Sequence, residues 1–200
     1  HTFAVVVSDV SSGQGSATLS LADDEYPIAF AGIESSTLIF TTIDGELHVR
    51  SLSKDLRLQT DTLIDQNWGG ELDVLVRNDG LVHAAWTSRT QSQQGYFLND
   101  VAMTSISVTG QMLPIHHHLT GLKISEGEYW GLDLAQEDET VVLSGYFRNI
   151  STGGSWSDLT SIFSIHSESP DVGENWSAMR THIPVVDIYP DDGDQLSTLL

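Results

Sequence analysis

The stretch ELDVLVRNDGLVHAAWTS (71–88) sets two runs of aliphatic and β-branched residues on either side of a short polar break. Runs of five to eight such residues bounded by Gly, Asn, Asp and Ser read as strands. Asn78-Asp79-Gly80 between them reads as a tight turn, because Asn, Asp and Gly tolerate the positive φ that a hairpin connection requires. A polar, Gln-rich loop follows. DVAMTSISV (100–108) then reads as a third strand, Thr109-Gly110 as a turn and QMLPIHHHL (111–119) as a fourth. The stretch is thus the first half of a four-stranded antiparallel unit.

The same grammar extends in both directions. Upstream, PIAFAGI (27–33), TLIFTTI (37–43), ELHVRSL (46–52) and LRLQTDTLI (56–64) form a unit with Asp44-Gly45 between its second and third strands. Downstream, YWGLDLA (129–135), TVVLSGYF (140–147), LTSIFSIHS (159–167) and WSAMRTHIP (176–184) form another, and insertions at 89–99 and 148–158 lengthen the later units. No window of a dozen residues carries an i, i+3, i+4, i+7 apolar stripe, so helix is not expected. The predicted fold class is all-β. A sheet unit that recurs along the chain is the signature of a repeat architecture, here a β-propeller of four-stranded antiparallel blades.

The predicted organisation is a half-blade at 1–24, blades at about 27–64, 71–119 and 129–184, and a half-blade at 185–200. TFAVVVSDV (2–10) and SATLSLAD (16–23) look like third and fourth strands, and VVDIYP (185–190) and QLSTLL (195–200) like first and second ones. Two arrangements follow. The half-blades pair and close a ring of about four blades with no free edge, or the chain is a slice of a larger propeller.

Composition narrows the function classes. Twenty-eight acidic residues against eight basic ones give a formal net charge of −20. Phosphate backbones would be repelled, and counterion release needs clustered Lys and Arg, so nucleic acid is not an expected partner. No apolar run reaches the length of a membrane-spanning helix, and no polybasic stretch suits an anionic membrane. The absence of cysteine removes disulfides and thiolate metal sites. Together with a start at His1 rather than Met, it suits an exported, processed protein or an excised fragment. The expected localisation is extracellular or cell-surface.

One motif is more specific. Ser169-Pro170-Asp171-Val172-Gly173-Glu174-Asn175-Trp176 matches S-x-D-x-G-x-x-W and falls between the third and fourth strands of its unit. In this pattern Asp171 can accept backbone N–H groups as an Asx-type turn, Gly173 supplies positive φ and Trp176 supplies an apolar plate. The segment resembles the Asp-box, or BNR repeat, of sialidase-like β-propellers. The D-G turns followed by histidine, Asp44-Gly45-Glu46-Leu47-His48 and Asp79-Gly80-Leu81-Val82-His83, add to the resemblance. It implies a structural role for Ser169, Asp171, Gly173 and Trp176 on the outer rim, away from any central site. The sialidases of this wider family use three arginines, a Tyr–Glu pair and an Asp, with an R-I-P type motif. No such motif or matched set stands in this chain, so catalysis is not expected here and no catalytic residue is assigned.

Other residues carry possible chemistry. Asp73, Asp133 and Asp187 occupy similar contexts (L-D-V, L-D-L, V-D-I) in three expected first strands. As a ring they would suit a hard cation such as Ca²⁺; the alternative is that each caps a neighbouring blade's backbone or faces channel water. His116 and His118 share one face of a strand, a possible two-imidazole chelate or a solvated polar strand. His48 and His83 are expected as interior hydrogen-bonding residues at matching places. Asp23-Asp24-Glu25 and Asp191-Asp192-Gly193-Asp194 read as solvated turns that could hold Ca²⁺. Trp156, in the insertion STGGSWSD, is the tryptophan best placed to stack on a sugar. The functional expectation is a non-catalytic module that binds a glycan or a protein or builds part of a surface assembly with other chains. The alternative is a fragment of a sialidase-like glycoside hydrolase.

Overall fold

A computed structural model describes residues 2–8, 16–33, 36–53, 55, 57–77, 80–91, 97–106, 116–117, 127–138, 140–149, 159–166 and 180–186. All regular structure in them is β. The strands are β1 (Thr2–Ser8), β2 (Ser16–Asp23), β3 (Tyr26–Ile33), β4 (Ser36–Ile43), β5 (Glu46–Ser53), β6 (Leu58–Asp65), β7 (Trp68–Val76), β8 (Val82–Gln91), β9 (Phe97–Ile106), β10 (His116–His117), β11 (Gly127–Glu137), β12 (Thr140–Asn149), β13 (Leu159–His166) and β14 (Arg180–Val186). They form a β1–β2 pair and three four-stranded sheets, β3-β4-β5-β6, β7-β8-β9-β10 and β11-β12-β13-β14. Every pairing is antiparallel and joins neighbours in the chain. We call the three four-stranded sheets first, second and third.

The hairpins obey local chemistry. Asp44 (φ 52°) and Gly45 (φ 83°) both take positive φ between β4 and β5, as a two-residue connection matched to strand twist requires. Between β7 and β8, the Gly80 amide donates to the Arg77 carbonyl at 3.0 Å and Arg77 N donates to Leu81 O at 2.9 Å. The two D-G turns therefore close different hairpins, one between second and third strands and the other between first and second. His48 stands on β5 and His83 on β8. They are not at matching places, because the same two-residue signal serves any tight hairpin.

Each first strand carries a register break, between Pro27 and Ala29, between Trp68 and Leu72, and between Trp130 and Asp133. Gly70 (φ 111°) and Gly131 (φ 62°) fall inside the last two. At Gly131 a Cβ would lie 2.7 Å from Cδ2 of Tyr146, so both the left-handed backbone and the aromatic contact need glycine there. Bulges bend a strand and increase its twist, and here they recur in the strands at which neighbouring sheets meet.

The sheets pack face to face in chain order. Leu38, Phe40, Leu47, Val49 and Ile64 of the first sheet bury against Val82, Ala84, Trp86, Ala102 and Ile106 of the second. The opposite face of the second sheet (Ala85, Val101, Met103) buries against Leu134, Val141, Leu143, Phe163 and Ile165 of the third. The far face of the first sheet meets the β1–β2 pair through Ile39 and Leu52 against Leu21. A sheet buried on both faces needs apolar residues at successive positions, which is why β4 and β8 read as near-continuous apolar runs. First strands touch first strands: β7 contacts both β3 and β11. No closure of this row into a ring is seen among the described residues.

Two boundaries differ from expectation. The insertion at 89–99 is largely ladder, because Arg89, Thr90 and Gln91 pair with Asn99, Leu98 and Phe97. Backbone hydrogen bonding extends a hairpin past the point where its apolar pattern stops. Of the expected fourth strand at 111–119, the described residues His116–His117 are strand, and the rest lie outside the described residues. Val185 and Val186, expected to open a new half-blade, instead pair with Thr160 and Leu159 as the end of β14.

Candidate functional site

The strongest polar constellation on the sheet axis is the seam between β7 and β11. Leu72 and Val74 of β7 pack toward the first sheet, so period-2 alternation turns Asp73 toward the third. There Asp73 Oδ2 accepts a hydrogen bond from the backbone amide of Leu134 at 2.6 Å, and Glu71 Oε2 accepts from the amide of Leu132 at 3.4 Å. The amides belong to a first strand whose face is otherwise apolar, and an unpaired amide there would cost stability. The arrangement is chemically a backbone cap. It ties one sheet to the next, the alternative that the sequence left open for these aspartates.

Asp133 lies between Leu132 and Leu134, both packed toward the second sheet, so its exposed carboxylate is turned to the far face of the third sheet. Asp73 and Asp133 thus have like orientations within their own sheets but face different neighbours. Asp187 lies outside the described residues. Among the described residues no group of three or more histidine and carboxylate side chains is placed to hold a metal ion. Ser169, Asp171, Gly173, Trp176 and Trp156 also lie outside the described residues, as do His118 and the turn 191–194. The backbones of His116 and His117 pair with Met103 and Ala102.

His83 is fully buried, with Nδ1 2.8 Å from the Ser105 hydroxyl, as expected of an interior hydrogen-bonding residue. His48 is half-buried rather than interior. Its Nε2 stands 3.2 Å from Glu46 Oε2 and its Nδ1 3.5 Å from Asp61 Oδ1. Period 2 puts Glu46, His48 and Arg50 of β5 on one face, and the ladder places Asp61 of β6 opposite Arg50.

The turn Asp23-Asp24-Glu25 departs furthest from expectation. Glu25 is 1% exposed. Its Oε2 accepts from Ala22 N at 2.9 Å, and its Oε1 contacts Nη1 of Arg50 at 2.9 Å. The latter is a charge contact rather than an aligned hydrogen bond, since no donor satisfies Oε1 by direction. Arg50 Nε donates to Asp61 Oδ2 at 3.1 Å. A buried carboxylate needs a nearby cation, but nothing local to an acidic turn identifies which of the chain's arginines supplies it.

A second inter-sheet tie uses Asp65 and tryptophan. Asp65 Oδ1 accepts from Asn67 N at 2.7 Å, which folds the crossover into an Asx turn. Its Oδ2 accepts from Nε1 of Trp86 at 2.6 Å, fixing the indole in the seam between the first and second sheets. Trp68 N donates to Gly45 O at 2.9 Å, and Arg89 N to Asn67 O at 2.5 Å, so the crossover is bonded to both sheets. An acid just before a crossover that ends in Trp was the available signal.

No helix among the described residues is long and apolar enough to cross a membrane. Compared with family profiles, curated proteins and solved structures, the chain matches none.

Proposed function

We propose that the chain is a non-catalytic, extracellular β-propeller module of the Asp-box type, which binds a glycan or a protein or contributes to a surface assembly. The observation that carries this reading is the serial stacking of four-stranded meanders whose first strands adjoin. It is supported by the bulge repeated in each first strand and by the Asp73 tie from one sheet's backbone to the next. The S-x-D-x-G-x-x-W segment at 169–176 and a cysteine-free composition add to it. Within a propeller these first strands would line the central channel. The described first strands β3, β7 and β11 carry no arginine, which favours binding over the three-arginine chemistry of sialidases.

Two variants separate binding from scaffold. Trp156→Ala is expected to weaken binding at least tenfold on an array of glycans while leaving the melting temperature within a degree or two. A tryptophan that stacks on a sugar contributes affinity rather than core, and a ring stacked on an aromatic is worth roughly 1–3 kcal/mol by analogy with base stacking. Asp171→Ala is expected to cost about 1–3 kcal/mol in urea denaturation through the lost turn hydrogen bonds, with binding by the folded fraction retained. Turnover of a sialoside by the wild-type chain would refute the non-catalytic reading.

A further inference from the structure

The topology gathers a set of polar groups at one end of the stack. The first strands β7 and β11 run parallel, since Glu71 and Asp73 meet the amides of Leu132 and Leu134 in the same order. Antiparallel meanders that start together also turn together. The end at which β3, β7 and β11 begin therefore carries the hairpins between second and third strands and the crossover from β6 to β7. There lie the Asp44-Gly45 turn, the crossover at 66–67, the tip of the β8–β9 hairpin and the start of β3. The connection at 150–158 leaves the third sheet at the same end, because Asn149 pairs with Gly127 at the start of β11.

Hydrogen bonds fix these pieces to one another. Tyr26, Thr42, Leu47 and Asp65 form one ladder row across the first sheet, about 14 Å wide at the usual strand spacing. Just beyond that row Trp68 N donates to Gly45 O and Arg89 N to Asn67 O, so turn, crossover and second sheet make one surface. The β8–β9 ladder continues past Arg89 to Gln91 opposite Phe97, whereas the β4–β5 ladder stops at Ile43 opposite Glu46. The end of the first sheet is thus the floor of a step, and the longer hairpin is its wall. The floor exposes Tyr26 (46%), the carboxylate of Asp44 and the carboxamides of Gln66 and Asn67. Arg89 is turned by period 2 to the other face of β8, with Ala85, toward the third sheet.

Each of the four side chains suits a sugar. A phenol ring offers a flat apolar plate to the C–H face of a pyranose and a hydroxyl at its tip. Carboxamides donate and accept and a carboxylate accepts, so Asp44, Gln66 and Asn67 together can serve hydroxyl groups, which do both. None of the four is cationic, and a net charge of −20 opposes the approach of a carboxylate or sulfate. On the glycan-binding reading, on which this inference rests, we propose that the step binds a neutral oligosaccharide. Tyr26 is the stacking plate, and Asp44, Gln66 and Asn67 are the hydroxyl partners.

Binding of the full chain to an array of neutral, sialylated, sulfated and amino-sugar glycans at low salt tests it. The wild type is expected to bind neutral oligosaccharides about tenfold or more tightly than their sialylated or sulfated counterparts. Tyr26→Ala and Asn67→Ala should each weaken that binding by about tenfold or more. Asp44→Asn keeps an acceptor and tolerates the positive φ of its turn; a several-fold loss is expected. Leu58→Ala, at the opposite end of the first sheet, should leave binding within about twofold, as a surface change remote from the step. Circular dichroism reports whether each variant is folded. If Tyr26→Ala does not fold, Tyr26→Leu keeps bulk without a flat ring and carries the same expectation. A preference for anionic or amino sugars would overturn the neutral class. Unchanged binding in the folded Tyr26 and Asn67 variants would overturn the step as the site and leave the glycan-binding reading in place. A wild type that binds no glycan would overturn that reading and the step together.

Discussion

Trp86→Ala will lower the stability of the folded chain by about 3–5 kcal/mol, the cost of deleting a large buried aromatic whose surroundings relax only in part. Trp86 is fully buried and stands between Phe40 and Val49 of the first sheet and Ala84 and Ala102 of its own. It also holds the crossover, since its indole nitrogen donates to Asp65 at 2.6 Å. Removing it strands that oxygen of Asp65 beside an apolar seam. Trp86→Phe separates the two contributions: it retains most of the packing, loses the donor and is expected to cost roughly 1–2 kcal/mol beyond any change in volume. Urea denaturation followed by circular dichroism measures both. A cost for Trp86→Ala below about 1 kcal/mol would mean that the seam collapses around the void and that the first two sheets are not rigidly stacked.

Phe163→Ala is expected to cost a similar amount, about 3–5 kcal/mol. Phe163 is fully buried in the other seam, with Val101 and Met103 of the second sheet and Leu134, Leu143 and Ile165 of the third. It stands opposite Gly145 on β12, which has no side chain to fill the space. The informative measurement is the double variant. The two aromatics lie in separate clusters on opposite sides of the second sheet. Their costs should therefore add to within about 0.5 kcal/mol, as for sites without shared partners. In a stack where each sheet contacts only its neighbours, stability is close to a sum of sheet and seam contributions. A double variant much less costly than the sum would indicate one shared core rather than two seams.

Much of the scaffold was legible in short windows. The runs at 2–10, 16–23, 27–33, 37–43, 46–52, 129–135, 140–147 and 159–167 match strands within a residue or two, because each carries a dense apolar or β-branched pattern bounded by turn residues. Asp44-Gly45 was legible because its positive φ is a local property of two residues. The ladder beyond Ser88 was not, because backbone pairing there continues through Arg89, Thr90 and Gln91, whose side chains give no strand signal. The end of β14 was misplaced for a related reason: Val185 and Val186 look alike as the end of one strand or the start of the next, and only the presence of Leu159 and Thr160 beside them decides.

The candidate sites divide in the same way. Asp73 was singled out for its repeated context, and the capping alternative for it was available from sequence. That its acceptor serves Leu134 was not, since donor and acceptor are 61 residues apart. Asp23-Asp24-Glu25 reads as a solvated turn, yet Glu25 is buried against an arginine on β5. A local acidic run specifies charge, whereas burial is conferred by whatever sheet comes to lie over it. Most strands, the tight turns and the antiparallel meander follow from local pattern, because they depend on side-chain alternation and backbone preferences over a few residues. Which faces stack, which carboxylates become inter-sheet ties and which arginine meets Glu25 are set by long-range packing. Those outcomes depend on distant segments sharing one dry seam, where an unpaired amide or charge costs more than it does in water.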